Sequence, residues 1–129
     1  MNSELDGKIV LVTGGAGGIG SVISESFAEQ GAKVIIHYKH SKEKAELIAK
    51  KIEGVAMYAD LTDSAQTKEL FNDLIDKEGK IDICIANAGK YPKDYAPLWE
   101  IGIERWNNTV STNLSLTYNT SRYFLKHVA

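Results

Sequence analysis

Five glycines fall within eight residues in Thr13-Gly14-Gly15-Ala16-Gly17-Gly18-Ile19-Gly20, between the apolar run Ile9-Val10-Leu11-Val12 and a stretch with helical periodicity. Glycines at that density open backbone conformations closed to other residues and let a ligand reach the main chain without meeting a Cβ. The chemistry they suit is anion binding, with a diphosphate seated on the free N–H groups and positive dipole end of a helix beginning near Gly18. A strand before and an amphipathic helix after form the setting that this mechanism requires. The rival phosphate binder is a Walker-type loop. No Lys-Ser or Lys-Thr pair follows Gly20, so a γ-phosphate and its magnesium would lack their usual ligands.

The elements that must position this turn are legible from periodicity. Strand-like apolar runs at about Lys8 to Val12, Lys33 to Tyr38, Val55 to Ala59 and Ile81 to Ala86 alternate with helical patterns, the signature of βαβ units and a parallel sheet. The first helix carries Ile19, Val22, Ile23 and Phe27, and Gly31 stands where a left-handed cap belongs. Ser41 is expected to cap a second helix with Ala45, Ile48, Ala49 and Ile52 inward, ended by Gly54. Asp63 and Gln66 have capping-box spacing ahead of Leu70, Phe71, Leu74 and Ile75, and Gly79 closes that third helix. Lys90 to Pro97 holds both prolines and reads as a surface loop. A last helix spans about Glu104 to Val128, with Trp106, Val110, Leu114, Thr117, Ser121 and Leu125 as its stripe.

In an open parallel sheet the ligand lies outside the carboxyl ends of the strands. The glycine turn, Tyr38-Lys39-His40-Ser41, Asp60-Leu61 and Asn87-Ala88-Gly89 are the exits of strands one to four, so all four face one edge. A dinucleotide site that prefers NAD places an acid at the end of the second strand, to hold the ribose 2′-hydroxyl. Here Tyr38 and Lys39 stand at that point, followed by His40 and Ser41, and they would accept a 2′-phosphate. NADP is therefore favoured over NAD.

Thr13-Gly14-x-x-x-Gly18-x-Gly20, Asp60 in Asp-Leu-Thr-Asp, Asn87-Ala88-Gly89 and Asn113 in Ser111-Thr112-Asn113-Leu114 together resemble the classical short-chain dehydrogenases and reductases. The resemblance runs from about Leu5 to the end, and around Tyr38 the chain is similar to the 3-oxoacyl-acyl-carrier-protein reductases. It implies a Rossmann-type α/β fold: a doubly wound parallel sheet, incomplete at four strands in the order 3-2-1-4, with helices on both faces. It implies that Gly14, Gly18, Ile19 and Gly20 hold the diphosphate and the nicotinamide side of the cofactor, and that Asp60 and the Leu61 N–H contact adenine. Asn87, Ala88 and Gly89 would support the central strand and line the adenosine ribose. Asn113 would be the family's helix asparagine, holding a water of the proton relay. The family's catalytic serine and Tyr-x-x-x-Lys pair have no counterpart in these residues, because Tyr91, Tyr95, Tyr118 and Tyr123 lack a lysine four positions later. Residues 1–129 thus read as the cofactor-binding half of an oxidoreductase acting on a carbonyl or secondary alcohol, inactive alone. The alternative is a module that senses or sequesters cofactor without chemistry.

Composition sets the outer bounds. The chain has 129 residues, 43% of them apolar, and a formal net charge of −2 with no long block of either sign, so neither nucleic acid nor an anionic membrane is an expected partner. The apolar runs are too short to span a bilayer, and Met1 to Glu4 opens no secretory leader, which reads as cytoplasmic. Cys84 is the single cysteine and is read as a packing residue. His37 and His40 have no third ligand in sight and are not read as a metal site; His127 suits a helix C-terminus. Trp99 and Trp106 read as core or subunit-contact residues. The fourth strand, apolar yet at a sheet edge, invites a second chain, so self-association or union with the remaining half is expected.

Overall fold

Every residue of the first strand is buried, which requires cover on both faces, and the computed structural model, describing residues 4–129, supplies it. The elements in order are β1 (Ile9–Val12), α1 (Gly18–Glu29), β2 (Lys33–Tyr38), α2 (Lys42–Lys51), β3 (Val55–Tyr58), α3 (Ser64–Glu78), β4 (Ile83–Ile85), a 3₁₀ turn at Leu98–Glu100 and α4 (Ile103–Val128). Met1 to Ser3, part of the stretch read above for a leader, lie outside the described residues. The strands pair in parallel in the order β3-β2-β1-β4, as expected. The reversal of direction at β1 and β4 is the switch point where such sheets bind ligands.

Successive side chains on a strand point to opposite faces, and the core divides accordingly. Val10, Val12, Val34 and Ile36 meet Ala45 and Ala49 of α2 and the inner side of α1 at Ile23 and Phe27. Ile9, Leu11, Ile35 and Met57 meet Leu70, Phe71 and Leu74 of α3, with Leu116, Tyr123 and Phe124 of α4 beside them.

Most expected caps are present. Asp63 accepts N–H bonds from Ala65 at 2.9 Å and Gln66 at 3.3 Å, and Gly31 and Gly79 take positive φ values. Two expectations at α2 are corrected. The Ser41 side chain makes no cap hydrogen bond, and the left-handed turn after the helix is taken by Glu53 at φ 56°, ahead of Gly54. Gly54 is needed for proximity, since a Cβ there would lie 2.4 Å from the Val34 carbonyl oxygen.

The fourth strand is shorter than its apolar run. The Asp82 carboxylate takes the Ile9 N–H at 2.8 Å while the Asp82 N–H donates to the Ile9 carbonyl at 2.9 Å, so a side chain supplies one of the two bonds at that end. Ile83, Cys84 and Ile85 are only half-buried, because β4 pairs with β1 alone.

The apolar stripe of the last helix is left largely without cover. Trp106, Leu114 and Leu125 are each more than half exposed, whereas Asn119 and Thr120 are buried beside Leu116, Tyr123 and Phe124. The inward face is partly polar: Asn119 donates to the Leu61 carbonyl at 2.9 Å and the Tyr123 and Ser64 hydroxyls are 2.9 Å apart, whereas the buried Thr120 hydroxyl has no partner among the described residues. Trp99 is exposed as well, so the core reading of both tryptophans fails. His127 is more than a dipole partner, for its Nε2 accepts the Ile81 N–H at 3.3 Å.

Candidate dinucleotide site

The switch point is built around Thr13, the residue between β1 and the first glycine. Its hydroxyl donates to the Ile85 carbonyl at 3.3 Å and accepts N–H bonds from Asn87 and Ala88, both at 3.0 Å. Asn87 returns the contact, its Nδ2 donating to the carbonyls of Thr13 at 3.1 Å and Gly14 at 3.2 Å. Two adjacent strand exits are thereby locked together. Sequence reasoning passed over the Thr13 hydroxyl; the available signal was a hydroxyl residue abutting both a strand end and a glycine turn. Thr13→Val leaves the Ala88 N–H without its acceptor and the Asn87 N–H with the Ile85 carbonyl alone, at 2.9 Å, so a loss of roughly 1–3 kcal/mol in urea unfolding is expected, with recovery in Thr13→Ser.

The glycine turn packs against this lock. Gly14 has φ 60°, and a Cβ on it would lie 3.1 Å from the Ala88 Cα. Its N–H donates to His37 Nδ1 at 3.0 Å, and the Gly15 N–H donates to the His37 carbonyl at 3.1 Å. The Gly15 carbonyl accepts from the buried Ser24 hydroxyl at 3.0 Å. These amides hold the turn and are not offered outward. The outward donors come next. The N–H groups of Gly18, Ile19 and Gly20, first in α1, have no acceptor among the described residues, and no acid stands in that turn. A Cβ on Gly18 would meet nothing within 4 Å, so open space lies beside those donors.

The exits of β2 and β3 meet beside it. Lys39 Nζ lies 3.4 Å from Asp60 Oδ2, while Asp60 Oδ1 accepts from the Thr62 hydroxyl at 2.6 Å and the Thr62 N–H at 3.0 Å. The Thr62 hydroxyl, then the Thr62 N–H and Lys39, outweigh partial burial and hold the Asp60 carboxyl below the usual carboxylate range. Leu61 is buried, its carbonyl bonded to Asn119 and its N–H without an acceptor among the described residues. Tyr38 is half-buried with its ring 6.0 Å from that of Tyr58, and His40 and Ser41 are exposed. The Ser41 hydroxyl, released from capping, stands at the start of α2.

On the other side, Asn113 joins α4 to the exit of β4. Its Oδ1 accepts the Lys90 N–H at 2.8 Å, and its Nδ2 donates to the carbonyls of Lys90 at 2.5 Å and Thr109 at 2.8 Å. A Cβ on Gly89 would come within 3.2 Å of Asn113 Oδ1. Cys84 lies in the strand behind, its thiol pushed up to about 12 by burial.

A strand, a glycine turn with three outward amides, and four exits on one edge define a dinucleotide-binding α/β protein. The family model for short chain dehydrogenases matches residues 8–129, and the chain belongs to that family. Elsinochrome reductase 1 of Elsinoe fawcettii is 31% identical over 132 residues, covering 98% of this chain and 49% of the relative. The NADP-dependent mannitol dehydrogenase of Alternaria alternata is 37% identical over 127 residues, covering 92% and 47% respectively. A short chain dehydrogenase from Burkholderia cenocepacia J2315, solved in complex with NADP, superposes with a TM-score of 0.85 at 29% identity, covering 97% of this chain and 52% of that one. The chain thus spans about half the length of the relatives it matches.

Proposed function

We propose that residues 1–129 are the cofactor-binding half of an NADP-dependent oxidoreductase acting on a carbonyl or secondary alcohol. The observation that carries this reading is the set of outward N–H groups at Gly18, Ile19 and Gly20, without internal acceptors and beside open space. They would hold the diphosphate, with Gly14 shaping the turn. Lys39 and Ser41, with Tyr38 beside them, would meet the 2′-phosphate, since no acid occupies the end of β2. Asp60 and the Leu61 N–H would face adenine, and Asn87, Ala88 and Gly89 the adenosine ribose. When bound, the nicotinamide ring supplies hydride. Asn113, which fixes the main chain of Lys90, would hold the relay water of the family. No Tyr-x-x-x-Lys pair follows Asn113 within residues 1–129 to supply the family's proton. The NADP-bound relative and the NADP-dependent mannitol dehydrogenase support the choice of cofactor.

No helix among the described residues is long and apolar enough to cross a membrane, and we place the protein in the cytoplasm. The half-covered β4 and the exposed stripe of α4 support a partner, either a second copy or the rest of the enzyme. Fluorescence titration of the chain with NADPH and NADH tests the cofactor reading. NADPH is expected to bind about tenfold or more tightly, the worth of one charge-assisted contact, and equal or tighter binding of NADH would overturn it. A sensor module that performs no chemistry is the rival, separated by assaying the full-length protein for carbonyl reduction.

A further inference from the structure

Both ring nitrogens of His37, a residue only 3% exposed, are engaged by main chain. Nδ1 lies 3.0 Å from the Gly14 nitrogen, and Nε2 lies 2.8 Å from the Ala59 carbonyl oxygen. An amide N–H can only donate, so Nδ1 must be bare; a carbonyl can only accept, so Nε2 must carry the proton. The two contacts independently select one species, the neutral Nε2–H imidazole. The ring therefore joins the exit of β1 to the exit of β3, where Asp60 and Leu61 follow.

Gly14 is the point through which this matters. Its carbonyl accepts from Gly17 N–H at 3.1 Å and from Asn87 Nδ2, and it packs directly against Gly20 in the first turn of α1. Moving Gly14 moves the outward amides. Resting on the dinucleotide reading above, we infer that His37 is a positioning residue for the diphosphate site, a strut that fixes the glycine turn only while its imidazole is neutral. Protonation would set an Nδ1–H donor against the Gly14 N–H donor, and ring or turn must then give way.

The surroundings favour the neutral form. Burial lowers the proton affinity of His37, opposed by the Ala59 carbonyl and by Asp60. Asp60 is the charged group whose field reaches the ring, and Lys39 pairs with it; Thr13 to Gly20 contains no titratable side chain. Cys84, on the same sheet face, stays a thiol. With the folded value below the ordinary 6.5, the strut's contribution is complete above about pH 6.5 and is lost as pH falls from there toward the lower folded value.

The test measures NADPH and NADH affinity between pH 5 and 8 for the wild type, His37→Asn and His37→Phe, with thermal unfolding of each. The Asn Oδ1 takes the place of Nδ1, accepts the Gly14 N–H and does not titrate; Phe fills the space without either bond. Titration of the 2′-phosphate is common to all three. The wild type is expected to lose about tenfold more affinity than His37→Asn on acidification, the equivalent of one hydrogen bond, and to show the Nε2–H tautomer by ¹⁵N NMR at pH 7.5. His37→Phe is expected to bind weakly at every pH while still unfolding cooperatively. Parallel pH profiles for wild type and His37→Asn, or an Nδ1–H tautomer, overturn this inference and leave the cofactor assignment standing. Failure of both nucleotides to bind at pH 7.5 alongside an intact Nε2–H tautomer overturns the cofactor assignment, and this inference with it.

Discussion

Gly20→Ala is expected to abolish measurable NADPH binding and to destabilise the fold by about 3 kcal/mol or more. An added Cβ would lie 2.0 Å from the Gly14 carbonyl oxygen and 2.9 Å from its carbon, both backbone atoms, and 2.8 Å from Asn87 Nδ2. Overpacking of a core by side chains costs roughly 1–3 kcal/mol, and backbone cannot swing aside as a side chain can. The turn must lift away from α1, taking the outward amides out of register, so affinity falls by about two orders of magnitude or more. Gly18→Ala is the control. Its Cβ would meet nothing within 4 Å, so urea unfolding stays within about 0.5 kcal/mol of wild type. A Gly20→Ala protein that binds NADPH like wild type would show that close packing of α1 on the turn is irrelevant to the site.

The second large effect is expected from Lys39→Glu. Lys39 Nζ sits 3.4 Å from Asp60 and its side chain is 41% exposed, so it can meet a ligand phosphate while keeping its acidic partner. Glutamate there supplies the acid that a 2′-hydroxyl prefers and repels a 2′-phosphate. Loss of a charge-assisted bond, roughly 1.5–3 kcal/mol, together with the new repulsion, weakens NADPH binding by about a hundredfold. NADH binding is expected to hold or improve, reversing the preference. Isothermal titration with both nucleotides reads this directly, and unchanged NADPH affinity would remove Lys39 from the site.

Some features are local enough to be legible in the sequence alone. Asp63 caps α3 because its carboxylate reaches N–H groups two and three residues on, and Gly79 ends that helix because no side chain opposes a left-handed turn. Ser41 has the right residue type for a cap, yet its hydroxyl makes none; type alone does not determine side-chain direction. The glycine turn was visible, but that the Gly14 amide is turned inward was not, since its acceptor, His37, lies 23 residues away on another strand. By residue type and spacing His37 invites only the question of a metal site. The buried side of the last helix is hidden for a related reason: its residues repeat at helical spacing on more than one side, and only the neighbours α3 and Leu61 choose which side is buried.

What the sequence determined by itself is therefore whatever depends on neighbours along the chain: four apolar strands alternating with helices, most of the caps, the glycine turn with its free amides, and the gathering of four strand exits on one edge. Tertiary structure alone decided what depends on distant partners: the Thr13–Asn87 lock, the Lys39–Asp60 pair, the His37 strut and the buried face of α4. The division follows from range. Backbone conformation answers to residues within a turn or two, whereas a buried polar group is satisfied by whichever donor or acceptor the sheet order brings within 3 Å.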